Sequence, residues 1–393
     1  MNSSSPRTIA VIGGGASAAL FAAALPARNL TLDIYDRTGA FARGIAYSTP
    51  HDHHLLNVRA ANMSGFAADK DHFAQWAAAY GYAPSDFVPR RLYGDYLEEL
   101  LAQAGDTNTI NKIQSDVMAS SRTADGFSVN GKDYDAVVLA SGNVMPLGPK
   151  LDGTPAHYHP DPWSLTKKDI AGAKNIALIG TGLSAVDAVL TLQSLGYNGT
   201  ITMISRRTLL PAPHVAPSTW AHVPLSADDA DKPLSHLVGV VRMHVREAAT
   251  DNIPWQAVID SLRAVTNPIW KGFNEAQRAR FMKRLFTVWN VHRHRMAPEI
   301  HAQVETLRKQ GRLVLLQESV TRVTNGPTVK GAHGDHKFDV VINCMGYRYQ
   351  EAGRNFDYSH AIGPARFSDE WFETTAIPEI RAQAHEIATS LME

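Results

Sequence analysis

The feature that most constrains this chain is a pair of segments that each have the pattern of strand, glycine-rich turn, helix and strand. They are "TIAVIGGGASAALFAAALPARNLTLDIYDR" at residues 8–37 and "NIALIGTGLSAVDAVLTLQSLGYNGTITMISRR" at residues 175–207. A glycine turn between a strand and a helix can bind the pyrophosphate of a dinucleotide at the N-terminus of that helix. The sequence therefore predicts an α/β fold with two Rossmann-like dinucleotide-binding domains.

Small residues recur in both turns at the spacing that dinucleotide binding requires. They are Gly13, Gly15 and Ala18 in the first turn, and Gly180, Gly182, Ser184 and Ala185 in the second. The first glycine allows a tight turn, the second lets the pyrophosphate approach the backbone, and the third position needs a small residue for helix–strand packing. We expect each turn to hold one dinucleotide.

The ends of the second strands predict different ligands for the two units. The first ends in Asp36-Arg37, and a carboxylate there accepts hydrogen bonds from ribose hydroxyls but repels a 2′-phosphate. This unit is therefore expected to bind the adenosine of FAD or NAD. The second ends in Ser205 followed by Arg206 and Arg207, and guanidinium groups favour a 2′-phosphate. The second unit is therefore expected to bind NADPH, and the first to hold the flavin that NADPH reduces.

The order of segments predicts how the domains are arranged along the 393 residues. We expect an FAD-binding domain in residues 1–160 and an NADPH-binding domain in 161–346. The latter carries a helical insertion at about 208–310, and residues 347–393 return to the FAD domain. Chain length allows two or three domains.

Periodicity and turn residues predict several local elements. "YGDYLEELLAQA" is expected to be a helix that follows Arg90 and Arg91, either of which could contact FAD or substrate. The runs "TINKIQSDV", "MASSRT" and "FSVNG" are expected to form an antiparallel meander. A terminal helix is expected to be capped by Thr374 or Thr375.

Composition excludes some classes of partner. The formal net charge is zero, so no general attraction to nucleic acid or anionic lipid follows. No apolar run is long enough to cross a bilayer, and the N-terminus has no signal-peptide pattern. The one cysteine, Cys344, predicts a reducing cytoplasm and excludes a dithiol relay within the chain.

Short stretches spread over nearly the whole chain carry a family resemblance. They are "GGGASA", "GIAYST", "LLNV", "YGDYL", "VVLASGN", "GTGLSAVDAVLTL", "ISRRTLLPAPH", "WNVHRHRMAPEI", "INCMGY" and "WFETTAIPEIRAQA". The sequence resembles flavoproteins with two dinucleotide-binding domains, which include flavin-containing and N-hydroxylating monooxygenases. It is most similar to a bacterial group of FAD/NAD(P)-binding proteins. Ser141 and Met345 replace the threonine of the family's usual Ala-Thr-Gly turns, but Gly142 and Gly346 are kept.

The resemblance implies FAD and NADPH as cofactors and assigns flavin contacts to particular residues. The segment "GIAYSTP…LLNV" is implied to wrap the isoalloxazine ring, with Asn57 near the reactive edge as a catalytic candidate. The terminal helix is implied to point its N-terminus at the pyrimidine end of the flavin, where reduced flavin gathers negative charge. The implied contacts are Gly44, Tyr47, Asn57, Val58, Met63, Gly142, Gly346, Thr375, Ala376 and Ile377.

Three further clusters invite a functional interpretation. Adjacent residues such as "HDHH" at 51–54 rarely converge on one ion, so no metal site is expected there. His214 follows the two arginines and is a catalytic candidate that could line the nicotinamide path. "VHRHR" at 291–295 is expected on a helix with His292 and Arg295 on one face. That face could bind an acidic substrate or the NADPH phosphates, or it could be solvated.

The sequence thus predicts a cytoplasmic oxidoreductase with a small-molecule substrate, for which a homodimer is one option. Because a dithiol relay is excluded, electrons from the flavin could pass to oxygen or to an external acceptor. The favoured hypothesis is an NADPH-dependent FAD monooxygenase. It would oxygenate a small nitrogen- or sulfur-containing substrate through a flavin C4a-(hydro)peroxide. The alternatives are a reductase or oxidase that serves an external acceptor, and a non-catalytic flavin redox sensor.

Overall fold

The computed structural model describes residues 7–143, 147–347, 355–367, 370 and 375–393. Its strands are β1 Thr8–Ile12, β2 Thr31–Asp36, β3 Thr109–Gln114, β4 Ser120–Arg122, β5 Phe127–Val129, β6 Lys132–Tyr134, β7 Ala136–Leu139, β8 Lys150–Leu151, β9 Tyr158–His159, β10 Asn175–Ile179, β11 Thr200–Ser205, β12 Leu313–Gln317, β13 Val320–Thr324, β14 Thr328–Gly331, β15 Asp335–Lys337, β16 Val340–Asn343 and β17 His360–Ala361. Its α-helices are α1 Ala16–Ala24, α2 Gly44–Tyr47, α3 His72–Ala78, α4 Arg90–Ala104, α5 Leu183–Ser194, α6 Leu234–Thr250, α7 Trp255–Ser261, α8 Arg263–Gly272, α9 Glu275–Arg284, α10 Phe286–Arg293, α11 Pro298–Lys309 and α12 Ile377–Met392. Short 3₁₀ helices span Ala60–Asn62, Ala227–Asp231 and Gly363–Arg366.

The chain divides into two compact units, each built on one of the predicted βαβ segments. Unit 1 falls within residues 1–145 and 348–393, and unit 2 within 146–347. Each unit contains a five-stranded parallel sheet, in the order β17-β7-β1-β2-β3 in unit 1 and β12-β11-β10-β16-β9 in unit 2. The predicted α/β fold with two Rossmann-like domains is confirmed.

The core of unit 1 lies on the helix-covered face of its sheet. Strand β1 is buried along almost its whole length, and α1 and α4 bury Phe21, Tyr93, Tyr96 and Leu97 against it. A strand that is covered on both faces has a continuous apolar sequence, as "IAVI" at residues 9–12 has here. The glycine turn that follows β1 is therefore set on a rigid base.

In unit 2 the connection between β11 and β12 contains the helices α6 to α11. Its own small core joins Trp220 to Ala248, Ala257 and Val258. No described helix is both long enough and apolar enough to span a bilayer.

The predicted antiparallel meander is partly wrong. Strand β3, from "TINKIQ", pairs in parallel with β2 and forms the edge of the first sheet, whereas β4, β5 and β6 are antiparallel as expected. Only Ile110 and Ile113 of β3 are half-buried, and its other residues are exposed. An edge strand of a parallel sheet is largely exposed and therefore lacks the continuous apolar run of a buried parallel strand, so its sequence resembles that of an antiparallel strand.

Helix ends also differ from the sequence predictions. Helix α4 begins at Arg90, after Pro89, so Arg90 and Arg91 lie inside its first turn rather than before it. The residue that precedes α12 is Ala376, which makes no side-chain cap, so capping by Thr375 is wrong, and Thr374 lies outside the described residues. Pro378 lies in the first turn of α12 and fixes the helical φ there without a capping side chain.

A buried carboxylate ties the first sheet to the β4–β6 meander. Asp33 of β2 is 1% exposed and accepts hydrogen bonds from the Lys132 ammonium (2.6 Å), the Tyr134 hydroxyl (2.6 Å) and the Asn111 amide (2.7 Å). Burial alone would raise the pKa of Asp33, but these three donors outweigh it and lower the pKa below its usual value. The charged form is therefore the one that stabilises the fold.

We expect Asp33→Ala to lower the free energy of unfolding by about 2 kcal/mol, because three donors lose their acceptor. The stabilisation should be complete above the ordinary aspartate pKa and should fade as the pH falls through the lowered value. Urea unfolding at pH 7 and at pH 3 measures both effects. A difference between wild type and variant that grows toward acid pH would contradict the assignment.

Candidate dinucleotide-binding sites

The first glycine turn is shaped by close backbone contacts at the carboxyl end of β1. Gly13 has φ +105°, and a Cβ atom added there would lie 2.4 Å from the Ala140 carbonyl oxygen. Its N–H donates to the Tyr35 carbonyl at 2.9 Å. Only glycine fits this position, which directs the chain into α1 with Gly15 as the residue that precedes the helix. Ala18, the third small position, is buried in α1.

Unit 2 repeats this turn with the same contacts. Gly180 has φ +129°, its N–H donates to the Ile204 carbonyl at 2.8 Å, and an added Cβ would lie 2.4 Å from the Cys344 carbonyl oxygen. Gly182 precedes α5, and no atom lies within 4 Å of the position that its Cβ would take. The backbone at Gly182 therefore leaves room for a ligand.

The N-termini of α1 and α5 suit an anion. Neither helix has a side-chain cap or an acidic residue in its first turn. The first backbone N–H groups of a helix have no intrahelical partner and carry partial positive charge. Both helix ends, including the backbone at Ser184, can thus hold a pyrophosphate.

Asp36 ends β2 beside the first glycine turn. Its Oδ2 accepts the Gly14 N–H at 3.1 Å, and its Oδ1 accepts the Thr38 N–H and hydroxyl at 2.8 and 2.6 Å. The carboxylate is thereby fixed next to the turn, where it can accept ribose hydroxyls as the sequence predicted. Arg37 is exposed beyond it.

In unit 2 the place of Asp36 is taken by the neutral Ser205. Its hydroxyl accepts the Thr181 hydroxyl at 3.1 Å and the Thr208 N–H at 3.0 Å. Arg206 is exposed and Arg207 half-buried, and neither has an ion-pair partner among the described residues. The two units thus have the same backbone frame and opposite charge at the ribose end.

The loops that follow β7 and β16 also face these sites. Gly142 and Gly346 have φ +68° and +86°, values that favour glycine. In unit 1 the side-chain oxygens Ser141 Oγ and Asn143 Oδ1 are buried, and within the described residues they have no hydrogen-bond partner. Buried polar atoms normally have partners, so a bound group with hydrogen-bonding atoms fits this position.

The predicted flavin segment begins directly against the first glycine turn. A Cβ added at Gly15 would lie 3.3 Å from the Gly44 Cα, and Gly44 itself has φ +58°. The Tyr47 ring stands 4.8 Å from the Tyr93 ring in α4, and burial raises the pKa of its hydroxyl. This end of the segment is therefore packed onto the unit 1 core beside the turn.

The rest of that segment is held by polar contacts and by burial. The Nδ1 atom of His54 lies 2.6 Å from the Thr49 hydroxyl in a buried pair. Asn57 and Val58 are half-buried, whereas Met63 is 2% exposed with its carbonyl accepting the Tyr93 hydroxyl. Met63 thus lies in the core, where its side chain packs with apolar neighbours.

The "HDHH" cluster is a set of packed rings. The rings of His51 and His53 stack at 4.8 Å, and Asp52 pairs with Arg91 at 2.7 Å. Among the residues that the structure describes, no group of three or more His, Cys, Asp or Glu residues could hold a metal ion.

Helix α12 contacts a turn that was not predicted from the sequence. Gly363 follows β17, has φ +65°, and donates its N–H to the Gln383 side chain of α12 at 2.8 Å. A Cβ at Gly363 would lie 2.5 Å from Ser17 Oγ in α1. Thr375 is exposed, Ala376 half-buried and Ile377 buried at the start of α12. The Gly-Pro pair after a short strand was the sequence signal for this turn.

The structure brings His214 and the "VHRHR" segment together within unit 2. His214 is half-buried, and its backbone N–H donates to the Met296 carbonyl at 2.9 Å. Helix α10 ends at Arg293, so the predicted helical face shared by His292 and Arg295 is wrong. The chain is extended at His294, and two residues later Met296 forms an isolated parallel bridge with Pro213.

Of the two residues after α10, His294 is half-buried and Arg295 is buried, and both serve packing. Burial, and to a smaller extent Arg293 and Arg295, lower the pKa of His294 to about 3, so this ring is neutral. Arg295 is 4% exposed and pairs with Asp260 at 2.6 Å. The His294 ring therefore carries no charge, and the charge of Arg295 is paired with Asp260 inside unit 2.

A sequence comparison matches part of the first unit to a known family of domains. Residues 10–144 match the profile of the FAD-NAD(P)-binding family. An uncharacterized protein of Escherichia coli K12, YdhS, is 23% identical over 215 residues, which cover 47% of this chain and 39% of that protein.

Solved structures share the fold over almost the whole chain. The ornithine N-hydroxylase KtzI of Kutzneria sp. 744 has a TM-score of 0.62 at 14% identity and covers 99% of both chains. The ornithine hydroxylase PvdA of Pseudomonas aeruginosa has a TM-score of 0.64 at 14% identity, over 98% of this chain and 99% of that one. The bacillithiol disulfide reductase Bdr of Staphylococcus aureus has a TM-score of 0.58 at 12% identity, over 98% of both. Residues 10–144 therefore form an FAD/NAD(P)-binding domain, and the chain as a whole shares its fold with these two hydroxylases and the reductase.

Proposed function

We propose that the protein is a cytosolic NADPH-dependent FAD monooxygenase that oxygenates a small nitrogen- or sulfur-containing substrate. The observation that supports this proposal most strongly is the pair of matched glycine turns with opposite charge at the ribose end. Asp36 suits the unphosphorylated ribose of FAD, whereas Ser205 with Arg206 and Arg207 suits the 2′-phosphate of NADPH.

Unit 1 offers the groups that FAD would need. The α1 N-terminus would hold the pyrophosphate, Asp36 the ribose, and Ser141 Oγ and Asn143 Oδ1 further polar atoms. When bound, FAD accepts a hydride from NADPH and can transfer the electrons to oxygen. The half-buried Asn57 is proposed as the polar side chain at the reactive edge.

Unit 2 would bind and orient NADPH. The α5 N-terminus would hold its pyrophosphate, and His214 is proposed to line the path of the nicotinamide. Cys344, the chain's one cysteine, is buried and burial raises the pKa of its thiol. A thiol held in this state is a poor nucleophile, which favours oxygen over a protein dithiol as electron acceptor.

The similarity to a disulfide reductase supports an alternative proposal. A fold match at a TM-score of 0.58 to Bdr fits a reductase or oxidase that transfers electrons to an external acceptor, and a flavin redox sensor would have the same cofactors. The monooxygenase is preferred because the two ornithine hydroxylases match with TM-scores of 0.62 and 0.64, but fold likeness alone does not define a reaction.

An absorbance experiment separates these functions. The purified protein is reduced with NADPH under nitrogen and then mixed with air. A monooxygenase should show a long-lived intermediate spectrum before the oxidised spectrum returns, and amines or thioethers should shorten its lifetime. Immediate reoxidation with stoichiometric hydrogen peroxide would favour the reductase or oxidase, and a protein that cannot be reconstituted with FAD would rule out all three functions.

Arg206→Ala and Arg207→Ala should each raise the KM for NADPH about tenfold (~1.4 kcal/mol), with the KM for NADH unchanged. Each substitution removes a guanidinium that has no other ion-pair partner among the described residues. Steady-state oxidation of the two coenzymes measures the ratio, and exposed Arg246 in α6 provides the control Arg246→Ala. An unchanged NADPH/NADH ratio in both variants would refute the coenzyme assignment.

A further inference from the structure

A glutamine at the end of β12 supports the turn that carries the two arginines. Gln317 is the last residue of β12 and pairs in register with Ser205. Its Nε2 donates to the Arg206 carbonyl at 3.2 Å, and the N–H of the next residue, Glu318, donates to the Ser205 carbonyl at 3.0 Å. Two hydrogen bonds from the end of β12 thus hold the backbone of Ser205 and Arg206.

Unit 1 contains a similar arrangement at the equivalent strand end, with the bond shifted by one residue along the turn. Gln114 is the last residue of β3 and pairs in register with Asp36. Its Nε2 donates to the Thr38 carbonyl at 3.3 Å, and the Ser115 N–H donates to the Asp36 carbonyl at 3.1 Å. A Cβ added at Gly39 would lie 2.9 Å from the Gln114 side chain, so this side chain packs directly against the turn.

The turn in unit 2 needs this support because its conformation is not that of a relaxed chain. In unit 1 the left-handed position is Gly39 (φ +73°), which glycine adopts without strain, whereas in unit 2 it is the non-glycine residue Thr208 (φ +49°). A non-glycine residue there is held by its surroundings at a cost in free energy. A site that is fixed in its binding conformation before the ligand arrives loses less entropy on binding.

We infer that Gln114 and Gln317 are positioning residues, each of which fixes the ribose-reading turn of one dinucleotide site. Gln317 sets the preference for NADPH over NADH by holding Arg206 and Arg207, and Gln114 sets FAD retention by holding the turn after Asp36. The inference rests on the proposed function, because it assigns FAD to unit 1 and NADPH to unit 2. Neither glutamine is a catalytic residue.

The test compares Gln114→Ala and Gln317→Ala in two binding assays that need no turnover. Gln317→Ala should weaken NADPH binding about fivefold, measured by coenzyme fluorescence titration, with NADH affinity and FAD content unchanged. Gln114→Ala should raise the Kd for FAD about fivefold, measured by reconstitution of the apoprotein, with the NADPH/NADH ratio unchanged. Each variant is therefore the control for the other.

Two further variants separate positioning from general loosening of the fold. Gln317→Met keeps about the size of the side chain and its neutrality but has no amide to donate to Arg206, so it should lose NADPH preference as Gln317→Ala does. Gln193→Ala removes a similar bond, from Nε2 to the Tyr197 carbonyl at 3.3 Å at the far end of α5, and should change neither assay.

The outcomes distinguish failure of the inference from failure of the proposed function. If wild type prefers NADPH and Gln317→Ala and Gln317→Met keep that preference, Gln317 has no positioning role and the inference is overturned while the function stands. Equal loss of NADPH and NADH binding would also overturn it, since that pattern indicates general damage to unit 2. A wild type that binds no FAD, or does not prefer NADPH, overturns the proposed function itself and the inference with it.

Discussion

Gly182→Val is expected to yield a folded, yellow protein that binds NADPH about 100-fold more weakly (~2.7 kcal/mol) than wild type. No atom lies within 4 Å of the position of the new Cβ, and Gly182 has φ −80°, so valine fits the fold. The added side chain instead fills the space where a pyrophosphate must approach the start of α5. Fluorescence titration with NADPH, and thermal unfolding in parallel, measure the two effects.

Gly239 in α6 offers a matched control for this substitution. A Cβ at Gly239 also meets no atom within 4 Å, but the residue lies in the helical connection between β11 and β12. Gly239→Val should therefore leave NADPH binding unchanged. Wild-type affinity in Gly182→Val would show that the second glycine turn does not bind the coenzyme.

Asp36→Ala is expected to yield a protein that is purified largely without FAD. Beyond the ribose contact, the substitution removes the acceptor of the Gly14 N–H, the Thr38 N–H and the Thr38 hydroxyl, which together shape the turn. Loss of charge-assisted hydrogen bonds of this kind costs about 1.5–3 kcal/mol, or roughly 10–150-fold in affinity. The ratio of flavin absorbance to protein absorbance after purification, and the Kd on reconstitution, measure the loss.

Asp135 provides the comparison within the same sheet. Its Oδ2 accepts the Thr8 N–H at 2.7 Å at the amino end of β1, opposite to the glycine turn. Asp135→Ala removes a bond between carboxylate and backbone of the same type but should leave the flavin content at the wild-type level. Equal flavin loss in both variants would indicate destabilisation of unit 1 rather than a ribose contact at Asp36.

The sequence predicted those parts of the fold and site that depend on neighbouring residues. The glycine spacing at Gly13 and Gly180 reflects a local need for positive φ and close backbone contact, so it identified both turns and the strands and helices around them. The charge difference between Asp36 and Ser205-Arg206 could also be predicted, because each of these positions ends its own βαβ unit.

What the sequence did not predict depends on pairing between distant segments. Strand β3 is largely exposed because it is an edge strand, and its parallel partner β2 precedes it by a long stretch of chain. Strand β17 has two residues, too few for a periodic pattern, so its turn at Gly363 was missed. Gln114 and Gln317 acquire a role only from the strand beside them, which no local motif records.

The contact between Gly180 and Cys344 has a practical consequence for experiments on this chain. The backbone carbonyl of Cys344 packs against Gly180 in the second glycine turn. The Cys344 side chain is buried, and burial raises the pKa of its thiol. Thiol-directed dyes and spin labels react with exposed thiolates, so the natural cysteine is shielded from them. Cysteines introduced on the surfaces of the two units can therefore be labelled in the otherwise natural sequence, and the separation between two such labels can be followed as each nucleotide is added.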